Sequence, residues 1–303
     1  LLKTKTMNHD ELDPAAILEA LGLHGTTVAG RVTGGTDTAV WRVTRGNDAF
    51  ALRVFGPGRA ESCHREAETM SAAGSAGLPV PRVHALGAWE GHPAVLLSWC
   101  AGRTLLQELQ SHPWRIWPLG LHFGRMQARI HAVAAPPVLR QHPEAWIQWA
   151  GPEEAALQER LRALAPNAAA LLHLDYHPLN VMTDGTRITG VLDWVNARAG
   201  DPRADWARTY TILRMEPITP GPPPLHLALF RRALASAWKR GYEQVAGPLT
   251  DLAPFYVWAG AVMLRDLAPR INQPGHWRRD HHFDPLRRWV SAWKRRAGLP
   301  ASG

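Results

Sequence analysis

A chain of 303 residues, 46% hydrophobic and 20% charged, has material for a large buried core, which excludes a disordered polymer. No apolar run reaches the roughly 18 residues a membrane span needs; the first residues lack the apolar stretch of a secretory signal, and Met7 is read as a candidate natural start. The net charge of +8 is concentrated, since residues 265–303 hold nine Lys/Arg against three Asp/Glu; with the rest of the chain nearly neutral, a nucleic-acid partner is not expected.

In chain order, Asp13-Pro14 opens a short amphipathic helix carrying Ile17, Leu18 and Leu21. Strands follow over 28–32, 40–43 and 50–55, with Gly34-Gly35-Thr36-Asp37-Thr38 after the first and the turn Arg45-Gly46-Asn47-Asp48 after the second. Residues 59–73 read as a helix, and 83–89 with 94–99 as a hairpin around Glu90-Gly91-His92. Helices are then expected near 103–110, 118–134, 152–164, 225–244, 252–267 and 285–297. One strand pair, 181–183 and 187–192, interrupts them around Asp184-Gly185, and Glu216–Pro224 reads as a Pro-rich loop. The fold class is therefore α+β: an antiparallel-sheet region over 1–100, a mainly helical region over 101–303, and a hinge near 97–102.

The last helix starts at Asp284-Pro285 and presents Leu286, Trp289, Val290 and Trp293 on one stripe, with Arg287, Arg288, Lys294 and Arg295 expected on a solvated basic face. Cys63 and Cys100 form neither a disulfide framework nor a metal-ligand spacing, which fits a reducing cytoplasm. His276, Asp280, His281, His282 and Asp284 match no regular ligand pattern and read as a solvated loop.

The chemistry gathers in His173-Leu-Asp175-Tyr-His-Pro-Leu-Asn180-Val-Met and Gly190-Val-Leu-Asp193-Trp. Asn180 stands just before one strand of a tight hairpin and Asp193 just after the other, so antiparallel pairing brings both side chains to one end. A carboxylate and an amide oxygen suit Mg²⁺, a hard cation that takes oxygen ligands and keeps waters and phosphates in its shell. Asp175 lies five residues upstream in a polar loop, within reach of the same space. Each residue alone could cap a turn; the combined spacing is far more specific. There is no Walker A sequence, which excludes a P-loop ATPase.

These two segments, continued by Gly200-Asp201-Pro202-Arg-Ala-Asp205, resemble the aminoglycoside phosphotransferase and choline kinase family, relatives of the protein kinases. The resemblance runs over nearly the whole chain. It implies a bilobal protein-kinase-like fold, with a nucleotide-binding lobe over 1–100 and a catalytic, acceptor-binding lobe over 101–303. The implied activity is ATP- and Mg-dependent transfer of a γ-phosphate to a hydroxyl of a small molecule: an amino alcohol, sugar, hydroxy-amino acid or aminoglycoside. Asp175 would orient that hydroxyl and take its proton, and Asn180 and Asp193 would hold the metal ions on the phosphates. Asp201 and Asp205 would brace the loop that follows, and His173 would orient its neighbours.

On the nucleotide side, the resemblance assigns Gly34, Gly35 and Thr36 to the phosphates. It assigns Arg53, where kinases carry lysine, to the α- and β-phosphates, with Glu66 as its helix partner and Glu68 as the alternative. Ser98 and Trp99 belong to the hinge segment that would hold adenine. Leu174 and Leu179 stand where many relatives have glycine. For the acceptor, Trp146, Trp149, Trp206, Trp238, Trp258 and Trp277 could form aromatic walls or simply core; Glu153, Glu154, Glu243, Asp251 and Asp266 could receive a cationic substrate. The expected partner is a small-molecule hydroxyl acceptor, without nucleic acid or membrane, in an oligomeric state the sequence leaves open. The rival reading is a catalytically silent nucleotide-binding scaffold or sensor of the same fold, against which the retention of Asp175, Asn180 and Asp193 counts.

Overall fold

The computed structural model describes residues 12–32, 38–164, 168–217, 221, 223–272 and 277–300. The chain divides into two compact units: residues up to Ala101 together with Gly190–Val195, and Gly102–Thr189 together with the residues from Asn196 onward.

In the first unit, Asp13 begins the structure by accepting the N–H groups of Ala15 and Ala16, with Pro14 at the first helical position, as capping chemistry requires. The elements run α1 (Pro14–Ala20), β1 (Thr27–Val32), β2 (Thr38–Arg45), β3 (Asp48–Phe55), α2 (Ala60–Ser75), β4 (Val83–Trp89) and β5 (His92–Ser98). The strands form one antiparallel sheet in the order β1-β2-β3-β5-β4. Strand alternation decides what each face does. Leu52 and Val54 on β3 join Ile17, Leu18, Trp41, Val43 and Leu96 in the apolar core. Arg53 between them points to the other face and meets Glu66 on α2.

The second unit begins with β6 (Arg103–Thr104), α3 (Leu105–Ser111), α4 (Ile116–His131), α5 (Pro137–Arg140) and α6 (Ala155–Leu164). It continues with β7 (Ala170–Leu172), β8 (Val181–Thr183), β9 (Ile188–Val191, of which Gly190 and Val191 count with the first unit), β10 (Arg198–Gly200), α7 (Pro202–Met215), α8 (Leu225–Ala246), α9 (Ala253–Leu267) and α10 (Asp284–Ala297). Two small sheets, β10-β7 and β6-β8-β9, interrupt the helices. Asp184 turns the β8–β9 hairpin by accepting the N–H groups of Thr186 and Arg187, with Gly185 at φ +92° where a side chain would be strained. Helices α4 and α8 meet backbone to backbone. A Cβ on Gly124 would strike the Trp238 carbonyl, and one on Gly241 would strike the Leu121 carbonyl.

Three expectations change. Helix α7 and the β7–β10 pair were not expected from the sequence. Although Asp201-Pro202 repeats the cap-and-proline start of α1, α7 buries Asp205, Arg208, Thr209 and Thr211 among Ala204, Trp206, Ala207 and Leu213, so polar residues interrupt its apolar stripe. Lys294 does not belong to a solvated face: it is 3% exposed and bonds Glu154 Oε1 at 2.6 Å, while Leu286 and Val290 are buried and Trp289 and Trp293 lie against Tyr256. Trp146, Trp206, Trp238 and Trp258 are core; Trp149 and Trp277 are half-buried beneath the guanidinium groups of Arg198 and Arg278. Part of the Pro-rich loop (218–220 and 222) and His276 lie outside the described residues.

Cys63 and Cys100 are free thiols, and burial pushes them up to about 12 and about 11. Among the described residues no helix is long and apolar enough to cross a membrane, and no group of three or more His, Cys, Asp and Glu is arranged to hold a metal.

Candidate active site

In the first unit the site is built around one guanidinium. Arg53 donates through Nη1 to Glu66 Oε1 at 2.6 Å, through Nη2 to Asp193 Oδ1 at 2.9 Å and through Nε to Thr38 Oγ1 at 3.2 Å. Glu66 Oε1 also accepts the Trp194 N–H at 3.0 Å, so one carboxylate holds both the cation and the backbone beside Asp193. Glu66 is therefore the partner of Arg53, and Glu68, one position past the buried Ala67, is exposed.

Desolvation lowers the Arg53 pKa and the Glu66 and Asp193 charges raise it, with a net rise that keeps the guanidinium charged. Desolvation raises the Glu66 carboxyl above its ordinary value, opposed by Arg53 and the Trp194 N–H. Asp193 takes a left-handed backbone, φ +62°, and its side chain keeps 38% exposure. Its Oδ2 accepts no bond among the described residues. That leaves a hard oxygen of the kind Mg²⁺ uses.

In the second unit the loop between β7 and β8 carries Asp175 and Asn180. The Asn180 amide donates from Nδ2 to the Asp175 carbonyl at 3.0 Å and to Asp175 Oδ2 at 3.3 Å. These contacts fix the amide's orientation and leave Asn180 Oδ1 without a partner among the described residues, a second hard oxygen. Burial would raise the Asp175 carboxyl, but His177, whose Nε2 lies 3.6 Å from Oδ1, together with Arg208 and His173, outweighs it and holds the pKa down to about 2. Asp175 is therefore an ionised carboxylate throughout the ordinary pH range.

Behind the loop, His173 is fully buried and its Nδ1 accepts the Asp175 N–H at 3.3 Å. Asp205 accepts the N–H groups of His173 and Leu174 at 2.9 and 2.8 Å, and His131 Nε2 lies 2.9 Å from Asp205 Oδ2. Burial opposes ionisation of Asp205, yet the His131 hydrogen bond and charge, aided by His173, lower its pKa. Asp205 thus braces the loop that precedes it, and Asp201 caps α7 by accepting the Arg203 N–H. This corrects the expectation that both brace the loop that follows.

Gly34, Gly35 and Thr36 lie outside the described residues. In the hinge segment the Ser98 N–H donates to the Arg82 carbonyl at 2.8 Å and the Trp99 N–H to the Ala49 carbonyl at 3.2 Å, so both donors are engaged within the sheet. Arg42 sits over the Trp99 ring. Sequence reasoning missed His131 and Arg208. Arg208 on α7 pairs with Asp266, while its Nε and Nη1 have no partner among the described residues and its charge reaches Asp175. Of the carboxylates considered for a cationic acceptor, Glu153 pairs with Arg265, Glu154 with Lys294, Glu243 with Lys239 and Asp266 with Arg208.

Residues 29–248 match the model of the phosphotransferase enzyme family. Among curated proteins, the uncharacterized protein YcbJ of Bacillus subtilis (strain 168) is 33% identical over 70 residues, 23% of this chain and about a fifth (20%) of that protein. The solved structure of aminoglycoside-3'-phosphotransferase of type VIII matches with a TM-score of 0.59 at 19% identity, covering 82% of this chain and 98% of that one. A thermostable mutant of aminoglycoside phosphotransferase APH(4)-Ia, solved with AMP-PNP and hygromycin B, matches with a TM-score of 0.61 at 18% identity, covering 93% and 97%. Identities this low speak to the shared fold.

Proposed function

Since the chain belongs to the phosphotransferase enzyme family, we propose that it moves the γ-phosphate of Mg-ATP to a hydroxyl group of a small molecule. The observation that carries this reading is the Asp175–Asn180 pair: an ionised carboxylate bonded to an amide whose oxygen is left over. A bound Mg²⁺ supplies charge neutralisation on the phosphates. The residues fit it, because Asn180 Oδ1 and Asp193 Oδ2 are hard oxygens without other partners among the described residues, and they are the ligands proposed.

Asp175 orients the acceptor hydroxyl and receives its proton. A carboxylate this acidic is a weak base, which suits a loose transition state in which the proton leaves late. Arg53 sets the Asp193 carboxylate. The bonds to Thr38, Glu66 and Asp193 take three of its five N–H donors, and the remaining two are proposed to meet phosphate oxygens. Gly34, Gly35 and Thr36 keep their proposed role beside the phosphates. Because the Ser98 and Trp99 N–H groups are engaged, adenine is proposed to bind other groups of that segment.

The acceptor class follows from charge. A polycationic antibiotic needs unpaired carboxylates near its hydroxyl, and four of the five considered already hold a cation of the same chain. A neutral or singly charged hydroxylated metabolite fits better than an aminoglycoside. The test is a panel of amino alcohols, sugars, hydroxy-amino acids and aminoglycosides screened for acceptor-dependent ADP release, with Asp193→Ala as the blank. Release with one uncharged or singly charged class is expected. Absence of release across the panel, together with no Mg-dependent thermal shift on adding an ATP analogue, would end this reading.

A further inference from the structure

Two hydrogen-bonded chains of the same form run behind the loop that carries Asp175. In the first, the Tyr242 hydroxyl on α8 meets His131 Nδ1 on α4 at 2.8 Å, His131 Nε2 meets Asp205 Oδ2 on α7 at 2.9 Å, and Asp205 holds the N–H groups of His173 and Leu174. In the second, Trp238 Nε1 on α8 donates to Gln127 Oε1 on α4 at 2.8 Å, and Gln127 Nε2 donates to Thr209 Oγ1 on α7 at 2.9 Å. Thr209 Oγ1 then donates to the Tyr176 carbonyl at 3.0 Å. Each helix supplies its two members four residues apart, one turn along the same face.

The donors and acceptors mesh. Asp205 is ionised and can only accept, so His131 Nε2 carries the proton that faces it, and Nδ1 and the Tyr242 hydroxyl share the bond on the other side of the ring. Desolvation, with the Asp205 and Asp201 charges, raises the Tyr242 pKa and keeps the hydroxyl proton in place. Tyr242, Asp205, Trp238, Gln127 and Thr209 are each at most 1% exposed, and His131 is 8% exposed. The glycine contacts at Gly124 and Gly241 let the two helix backbones touch, which is what brings Trp238 and Tyr242 within reach of Gln127 and His131.

We propose that Trp238 and Tyr242 are positioning residues for phosphoryl transfer: through these two chains, α8 sets the backbone of residues 173–176 and with it the Asp175 carboxylate. The proposal rests on the phosphotransferase reading of Asp175. The loop needs such a hold, because Leu174 sits at φ +62°, a left-handed backbone that a leucine disfavours. Its N–H and that of His173 are what Asp205 grips. If that grip loosens, Leu174 relaxes toward extended backbone and Asp175, the next residue, moves with it.

Tyr242→Phe deletes one hydroxyl and Trp238→Phe one indole N–H. Trp258→Phe is the control of like chemistry: Trp258 is equally buried and donates its indole N–H to the Trp146 carbonyl at 2.9 Å, outside both chains. For the full-length protein, kcat for ADP release should fall about tenfold in Tyr242→Phe and Trp238→Phe, the scale of one lost hydrogen bond, with KM for ATP unchanged. Amide exchange at His173 and Leu174 should accelerate about tenfold in Tyr242→Phe while the amides of α9 hold, again the scale of one hydrogen bond. Trp258→Phe should do neither. Equal kcat losses in the control, or exchange rising evenly through the second unit, overturn the proposal in favour of a purely structural role. If the wild-type protein releases no ADP with any acceptor, the phosphotransferase reading fails, and the two amides decide α8's hold on the loop separately: unchanged exchange in Tyr242→Phe overturns it, and selective acceleration sustains it.

Discussion

The candidate residues of the two units are held by different physics. Asp193 in the first unit is fixed by charge: one guanidinium faces two carboxylates, with Glu66 also gripping the backbone beside Asp193. Asp175 in the second unit is fixed through its backbone, by a buried aspartate and by chains of hydrogen bonds drawn from three helices. A charged clamp is cheap in residues but fails when one charge is removed, because the partner is left buried and uncompensated. A hydrogen-bonded lattice spreads the constraint over many small contacts and is damaged by degrees, with the charged Asp205 as its one large member.

The comparison can be broken at several points. The largest effect is expected on chemistry: Asp175→Asn should lower kcat by about a thousandfold while leaving ATP-analogue affinity intact, as loss of a positioned base does. Turnover by Asp175→Asn at the wild-type rate would remove Asp175 from the mechanism.

Next come the two buried carboxylates. Asp205→Ala orphans the His173 and Leu174 N–H groups and His131 Nε2, and should destabilise by about 4 kcal/mol. Glu66→Gln leaves Arg53 half-compensated and should cost about 3 kcal/mol. Denaturant midpoints measure both, and a Glu66→Gln cost below that of an ordinary surface change would deny the clamp its importance.

Acid gives a smaller and graded effect. The Asp175 and Asp205 carboxyls are lowered in the folded state, the former to about 2, so the stability they contribute is complete above the unfolded carboxyl value near 4. It is lost as pH falls through their folded values. Unfolding midpoints should therefore drop between about pH 4 and pH 2, and Asp175→Asn should flatten part of that slope. The smallest effect belongs to Glu68→Gln, two residues from the clamp on an exposed position, which should stay within about 0.5 kcal/mol of the parent.

What could be read from the sequence follows the range of the signal. The strands of the first unit, helices such as α4, α8 and α9, and the Asp175–Asn180–Asp193 spacing are local patterns, and local patterns survive in one dimension. Helix α7 was illegible because polar residues interrupt its buried face: Asp205, Arg208 and Thr209 bond to partners far away in the chain and break the apolar period of Ala204, Trp206, Ala207 and Leu213. Only the fold could choose between Glu66 and Glu68, since both lie on one helix two positions apart and their facing is set by where α2 meets β3. His131, Gln127, Trp238 and Tyr242 carry no motif at all. The one available hint was the i, i+4 spacing of hydrogen-bonding side chains along each helix, and it becomes informative only when three helices show it together.

The left-handed backbone at Asp193 has an evolutionary consequence. Glycine is the residue most at ease in that conformation, and an aspartate codon is a single base change from a glycine codon. A descendant could take that step, easing the turn and forfeiting the carboxylate, with Glu66 left as the one carboxylate on Arg53 and still gripping the neighbouring backbone. Under the role proposed for Asp193 such lineages would fall silent, and glycine at this position would be the scar to look for.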